Sequence, residues 1–302
     1  MDVRRCLEIV VLSALGVAPA QAQAPRDRLL ITPEALAERM RAPDLVLLHV
    51  GEAETYAGEH IPGARHVTLR TLSAPQASRD ELSLQMPDAA ALESALEQLG
   101  ISDDSEIVVY MADEWLTPAA RVLYTLDYAG LGERTRLLEG GLPAWKGSGG
   151  TVTDAVPAPR TGRLSPLEVR ANLVVDRAFM QSHLDSDGFA IIDARAQAVY
   201  DGVQADRGRY GHIPGAGSVF WGTLYDQNGL LRPDEELRTI FARAGVQPGD
   251  VVVGYCHIGQ YATAMLFAAR VLGFDVRLYD GSFQEWGGDP ASPLELSKGT
   301  RA

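Results

Sequence analysis

The sequence predicts an α/β protein written twice, as two copies of a mostly parallel sheet with helices on both faces. Three observations carry that prediction. The string His-Ile-Pro-Gly-Ala occurs at 60–64 and again at 212–216. Each occurrence follows a short apolar run of strand length, Leu45–Leu48 in one case and Phe189–Ile192 in the other. Each is followed by a further apolar run, Glu106 to Met111 and Asp250 to Cys256, and helical patterns separate the runs. A spacing of about 140–150 residues is the size of a whole domain and far beyond the period of a solenoid, so it marks a duplication.

Taken in order, the chain opens with Arg4 and Arg5, an apolar stretch from Cys6 to Val17 broken mainly by Glu8 and Ser13, and a small-residue tract from Ala18 to Ala24. Basic, then apolar, then small is the order of a secretory signal peptide, 1–22, with cleavage expected after Ala22. Its removal takes away Cys6, leaves Cys256 without an intramolecular disulfide partner, and implies a periplasmic or secreted protein. The first copy is expected over 25–150. A linker rich in Pro, Thr and Gly follows over 151–165, and the second copy fills 166–302. In the second copy, Asp234, Glu235 and Glu236 open a helix after Pro233 and meet its dipole favourably, which is not the pattern of a metal site. Val251 to Tyr255 is a β-branched run bounded by Pro248-Gly249-Asp250, the mark of a buried strand. Ala262 to Leu272 reads as a helix stopped by Gly273, and Val276 to Tyr279 as the next strand.

Composition narrows the function. Of 302 residues, 27 are Lys or Arg and 40 are Asp or Glu, a net charge of −13 that argues against nucleic acid or an anionic membrane as partner. No segment is long and apolar enough for a permanent membrane span. Two cysteines exclude a disulfide-rich scaffold and a four-cysteine zinc site.

Cys256 stands at the carboxyl end of a predicted central strand, followed by His257-Ile258-Gly259-Gln260-Tyr261 and a helix. In an open parallel sheet this strand-to-helix turn is where ligands bind. Its backbone N–H groups can point at an anion, and the same field stabilises a thiolate, lowering the thiol pKa and activating a nucleophile. Gly259 can supply the backbone conformation that curls the loop around the sulfur. A cysteine-dependent phosphatase needs an arginine six residues after the nucleophile to clamp phosphoryl oxygens, and that position holds Ala262.

Four motifs then stand in order: Tyr56 to Val67 around the first His-Ile-Pro-Gly-Ala, Asp193-Ala194-Arg195, the Cys256 to Ala262 loop, and Val276 to Trp286 with its Asp-Gly-Ser-Phe-Gln-Glu-Trp. With them the sequence resembles the tandem-domain rhodaneses, a sulfurtransferase family, over essentially all of residues 25–290. The resemblance implies that the Cys256 thiolate takes sulfur from a small anionic donor as a persulfide and passes it to a thiol or cyanide-like acceptor. It implies that the loop from His257 through Ile258, Gly259, Gln260 and Tyr261 to Ala262 holds the charge. Arg195, supported by Asp193, would bind the donor's anion or fix the loop. No metal or organic cofactor is called for. Export favours thiosulfate as donor over 3-mercaptopyruvate, although His257-Ile258 fits neither donor pattern well. The alternative to turnover is a relay module that delivers sulfur to a partner protein.

The first copy departs where the chemistry sits. Ala112 falls opposite Cys256 within a residue, and His49 and Gly51 replace the aspartate and arginine. Asp113 and Glu114 put negative charge where an anion would bind, so this copy is expected to be inactive. His60 persists in it, so His60 and His212 are expected to share a structural role, a turn hydrogen bond to backbone. His257 faces either the site or solvent; Trp221, Trp286 and Tyr261 either wall the pocket or belong to the core.

Overall fold

The computed structural model describes residues 24–113, 116–184 and 186–297. The expected signal peptide with Cys6, its cleavage site, and Glu114 lie outside the described residues.

Two five-stranded, wholly parallel sheets are found. The first is built from β1 (Leu30–Ile31), β2 (Leu45–Val50), β3 (Arg65–Val67), β4 (Glu106–Met111) and β5 (Thr135–Leu138) in the order β1-β5-β4-β2-β3. The second contains β6 (Val174–Val175), β7 (Phe189–Asp193), β8 (Gly217–Ser218), β9 (Val251–Tyr255) and β10 (Asp275–Tyr279) in the order β6-β10-β9-β7-β8. The α/β class and the duplication are thus as expected from the sequence. Among the described residues no helix is long and apolar enough to cross a membrane.

Strand alternation divides the apolar residues between layers. Ile107, Val109 and Met111 of β4, with Val252 of β9 and Cys256 just beyond it, face one core shared by both copies. Val108 and Tyr110 face an outer core of the first copy with Trp145, and Val253 and Tyr255 face an outer core of the second with Trp286. The Thr117–Tyr128 and Gln260–Val271 helices pack against each other within the shared core. Gly254 lets the second helix come close, since a Cβ there would stand 2.8 Å from both Leu266 Cγ and Met265 Cε.

The repeated string is a structural joint. The Nδ1–H of His60 donates to Tyr56 O at 2.7 Å and that of His212 to Tyr200 O at 2.8 Å, because a carbonyl can only accept. Each imidazole stacks on the same tyrosine, at 4.0 and 3.8 Å between centroids. The Ile61 amide donates to Tyr110 OH and the Ile213 amide to Tyr255 OH, both at 3.1 Å.

That joint also sets the register between copies. His49 pairs with Tyr110, and Asp193 with Tyr255, so Tyr110 corresponds to Tyr255 and Met111 to Cys256. The expected counterpart, Ala112, is one residue too far along. Strand pairing, invisible in the linear sequence, decides between them.

Candidate active site

Cys256 leaves the carboxyl end of β9, the central strand, between the ends of β7 and β10. The chain runs outward to β8 after β7 but to β10 after β9, so the cysteine lies at a switch in strand order, where such sheets bind ligands. Gly259, at φ 83°, curls the loop and starts the Gln260–Val271 helix, two residues earlier than the sequence indicates. The amides of Ile258, Gly259, Tyr261 and Ala262 hydrogen-bond to the cysteine sulfur. Ser282, held at φ 49°, accepts from the Cys256 amide at 3.2 Å and donates to Tyr279 O at 2.9 Å. The Phe283 amide donates to Cys256 O at 2.9 Å. A non-glycine residue in the left-handed region costs roughly 1–2 kcal/mol, so the backbone beneath the cysteine is held against strain.

A cavity of about 210 Å³ opens on the sulfur, lined by Cys256, His257, Ile258, Gln260 and Tyr261. Trp221 stands beside Tyr261 at 5.6 Å, whereas Trp286 is buried in the outer core. The electrostatics correct one expectation. Burial pushes the Cys256 thiol above its ordinary pKa, and the loop amides pull it down without overcoming that effect. The amides are therefore arranged for a negative charge that develops on reaction, while the resting group is the thiol.

One of the two roles expected of Arg195, contact with the donor's anion, requires a second correction. The side chain does not face the cavity but is fully buried, with Nε and Nη2 on the Asp193 carboxylate, Nη2 also on Gly211 O, and Nη1 on Asp206 Oδ2 at 3.2 Å. Its guanidinium carbon lies 3.9 Å from the Phe283 ring centre. A buried cation is held inside only by such partners, so the expected contact with a donor's anion is replaced by an internal ion pair. Asp206 passes this pair on to the loop. Its Oδ2 accepts from His257 Nδ1 at 2.5 Å, leaving His257 partly exposed at the cavity and near Tyr261. Burial raises the Asp206 pKa, but His257 and then Arg195 outweigh that effect and hold the carboxyl below its usual range.

The first copy reaches into the site. Gln260 Nε2 donates to Thr117 Oγ1 at 2.8 Å, and Arg121 forms a buried ion pair with Asp280 at 2.9 Å. Asp280 also accepts from the Met86 amide at 2.7 Å, and Gln284 Oε1 from the Ser83 amide at 2.9 Å. Sequence reasoning did not single out Asp206, Ser282, Thr117 or Arg121. For Asp206 a signal existed: eight extra residues separate Tyr200 from His212 compared with Tyr56 from His60. In place of the ion pair the first copy has His49, buried, with Nδ1 3.1 Å from Tyr110 OH. Burial, then His66 and His60, lower its pKa to about 4. Among the described residues no group of three or more His, Cys, Asp or Glu side chains could hold a metal ion.

The profile of the rhodanese-like domain matches the chain twice, over residues 32–148 and 177–289. A probable 3-mercaptopyruvate sulfurtransferase of Pseudomonas aeruginosa is 36% identical over 277 residues, covering 88% of this chain and 97% of that protein. Thiosulfate sulfurtransferases of Pseudomonas aeruginosa and Azotobacter vinelandii are 33% and 32% identical over 269 residues, each covering 89% of this chain and 97% of the relative. Among solved structures, YnjE superposes with a TM-score of 0.80 at 22% identity, covering 93% of this chain and 71% of that one. Wild-type EanB superposes with a TM-score of 0.77 at 24% identity, covering 91% and 70%. These two likenesses speak for the fold. With both copies matched and relatives at this identity spanning nearly the whole length, the chain belongs to the rhodanese family as a tandem-domain member.

Proposed function

We propose that the protein is a sulfurtransferase that moves a sulfane sulfur from a small anionic donor to a nucleophilic acceptor through a persulfide on Cys256. The observation that carries this reading is the single cysteine sulfur at the floor of a small cavity, ringed by backbone amides, in the one copy that holds it. The names of its relatives support it. The Cys256 thiol releases its proton to solvent, the resulting thiolate attacks the donor's outer sulfur, the donor's remaining group leaves with its bonding electrons, and an acceptor then takes the sulfur and restores the thiolate. The loop amides stabilise the anion at each stage. Asp193 and Arg195 serve as a buried brace for the loop, through Asp206 and Phe283.

Thiosulfate is the donor we favour, on the order of residues at the N-terminus and the export it implies. Removal of 1–22 and release to the periplasm would appear as a shortened N-terminus in a periplasmic fraction; a full-length cytoplasmic protein would remove that ground. A specific observation favours 3-mercaptopyruvate instead: among the described residues neither Lys nor Arg lines the cavity to meet a dianion. Incubation with each donor and weighing of the Cys256 peptide separates the two. One added sulfur atom from thiosulfate supports the preference, sulfur from 3-mercaptopyruvate alone reverses it, and sulfur from neither overturns the sulfurtransferase reading. Turnover with cyanide distinguishes an enzyme from a relay that gives up sulfur only to a partner protein.

A further inference from the structure

The eight residues that lengthen the second copy between Tyr200 and His212 are not a loose loop. Asp206 and Arg209 exchange both backbone hydrogen bonds at 2.9 Å across a tight turn, with Arg207 at φ 51° and Gly208 at φ 76°. Two positive φ values at the centre are the geometry of a primed hairpin turn. Arg209 fastens it to the C-terminal segment through Asp289 O and Ser292 O, at 2.5 and 2.9 Å. The residue this fixed turn delivers to the site is Asp206. Its carboxylate can only accept, so the 2.5 Å contact places a proton on His257 Nδ1 and fixes the ring. Nε2 is then the nitrogen left for chemistry, on a side chain that lines the Cys256 cavity. The groups facing this imidazole are Asp206 with Arg195 behind it, the Tyr261 ring at 5.8 Å, and Cys256 across the cavity. The first copy has Met111 for the cysteine, Gly51 for the arginine, and no insert.

We propose that Asp206 and His257 form a proton-transfer dyad for the acceptor half of the reaction, with a thiol as acceptor. This rests on the sulfurtransferase reading above. His257 Nε2 takes the proton of the thiol, and the thiolate's electron pair forms a bond to the outer sulfur of the Cys256 persulfide. The bond between the two persulfide sulfurs breaks, and its pair returns to Cys256 Sγ as thiolate. The acceptor leaves as its own persulfide, and the imidazolium gives the proton to solvent. His257 is the catalytic residue of this step and Asp206 its positioning residue.

The test uses the full chain loaded with sulfur by a donor and freed of excess donor. Discharge is followed by the loss of persulfide mass after rapid mixing, at neutral pH, with an alkyl thiol and with an aryl thiol already ionised at that pH. Asp206→Asn and His257→Gln should each slow discharge to the alkyl thiol by about 10²-fold, the usual scale of general base catalysis, and the double variant should lose no more. With the aryl thiol, which has no proton to give up, the deficit should shrink to within a few-fold. It should likewise close for the alkyl thiol as pH rises through about 8.5, where thiols ionise unaided. Equal deficits with both thiols, or a His257→Gln variant that discharges like the parent, overturns the dyad. Should Asp206→Asn misfold for want of a partner to Arg195, His257→Gln carries the comparison alone, its side chain being 34% exposed. A parent protein that takes up no sulfur from either donor fails at the earlier step and removes the sulfurtransferase reading, and the dyad with it.

Discussion

In the first sheet Tyr110 receives the Ile61 amide and His49 pairs beside it; in the second, Tyr255 receives the Ile213 amide and Asp193 takes the place of His49. The histidine–tyrosine stacks and the buried Trp145 and Trp286 repeat in the same way. Met111 against Cys256, Gly51 against Arg195 and Val109 against Gly254 do not. The joints that hold strands, turns and helices together are thus independent of the residues carried at the strand ends. The fold tolerates loss of the nucleophile and its brace because neither is needed to close the core.

The comparison breaks most visibly at the nucleophile. Cys256→Ser should lower sulfur transfer to cyanide by at least ~10³-fold, since no other sulfur nucleophile is present in the site. Placing a cysteine in the first copy, as Met111→Cys in the Cys256→Ser background, should restore no persulfide by peptide mass; uptake there would mean that the scaffold alone confers reactivity. In the parent, alkylation of Cys256 by iodoacetamide should keep rising with pH beyond the ordinary thiol value of about 8.5, because burial stabilises the neutral thiol. A plateau below that value would contradict the direction of the shift.

The next effect concerns His49. Its folded pKa of about 4 lies below the unfolded value of about 6.5, so the unfolded chain binds the proton first as pH falls. The stability concerned is intact above pH ~6.5 and is lost progressively toward pH ~4, by up to about 3 kcal/mol. His49→Leu should flatten that part of the pH–stability curve; an unchanged slope in denaturant titrations would show that the buried imidazole is not its source. Smaller again is Gly254→Val, which gives the second copy the first copy's residue and should destabilise by about 1–3 kcal/mol through contact with Leu266 and Met265. A thermal midpoint equal to the parent's would mean that the helix can retreat. Last, Thr117→Val leaves Gln260 Nε2 buried without its acceptor and should cost about 1–2 kcal/mol, with a few-fold loss of turnover. A normal rate would place Thr117 outside the support of the loop.

The duplicated string, the strand–loop–helix around Cys256 and the lack of a matching cysteine and arginine in the first copy were legible because each rests on residues close together in sequence. Arg195 was legible as a residue with two open roles, anion contact or support of the loop; what separates them is its contact with Asp206, eleven positions away in a turn no periodicity announces. The direction of the Cys256 shift was not legible for a related reason. Loop amides can be read from a strand followed by glycine, but the burial that outweighs them appears only once the chain is packed. Thr117 and Arg121 belong to the other copy altogether, and nothing local to either copy marks them as neighbours of the cysteine loop.

The buried pair of Arg121 and Asp280 bears on how the molecule comes apart. Arg121 is contributed by one copy and Asp280 by the other, both in the shared core, and Asp280 holds the Met86 amide as well. Melting of one half would break this pair and bare the apolar face that the other half's central helix presents to the shared core. The pair therefore ties the two copies into one cooperative unit. A duplicated sequence has in this way come to share one core between its copies.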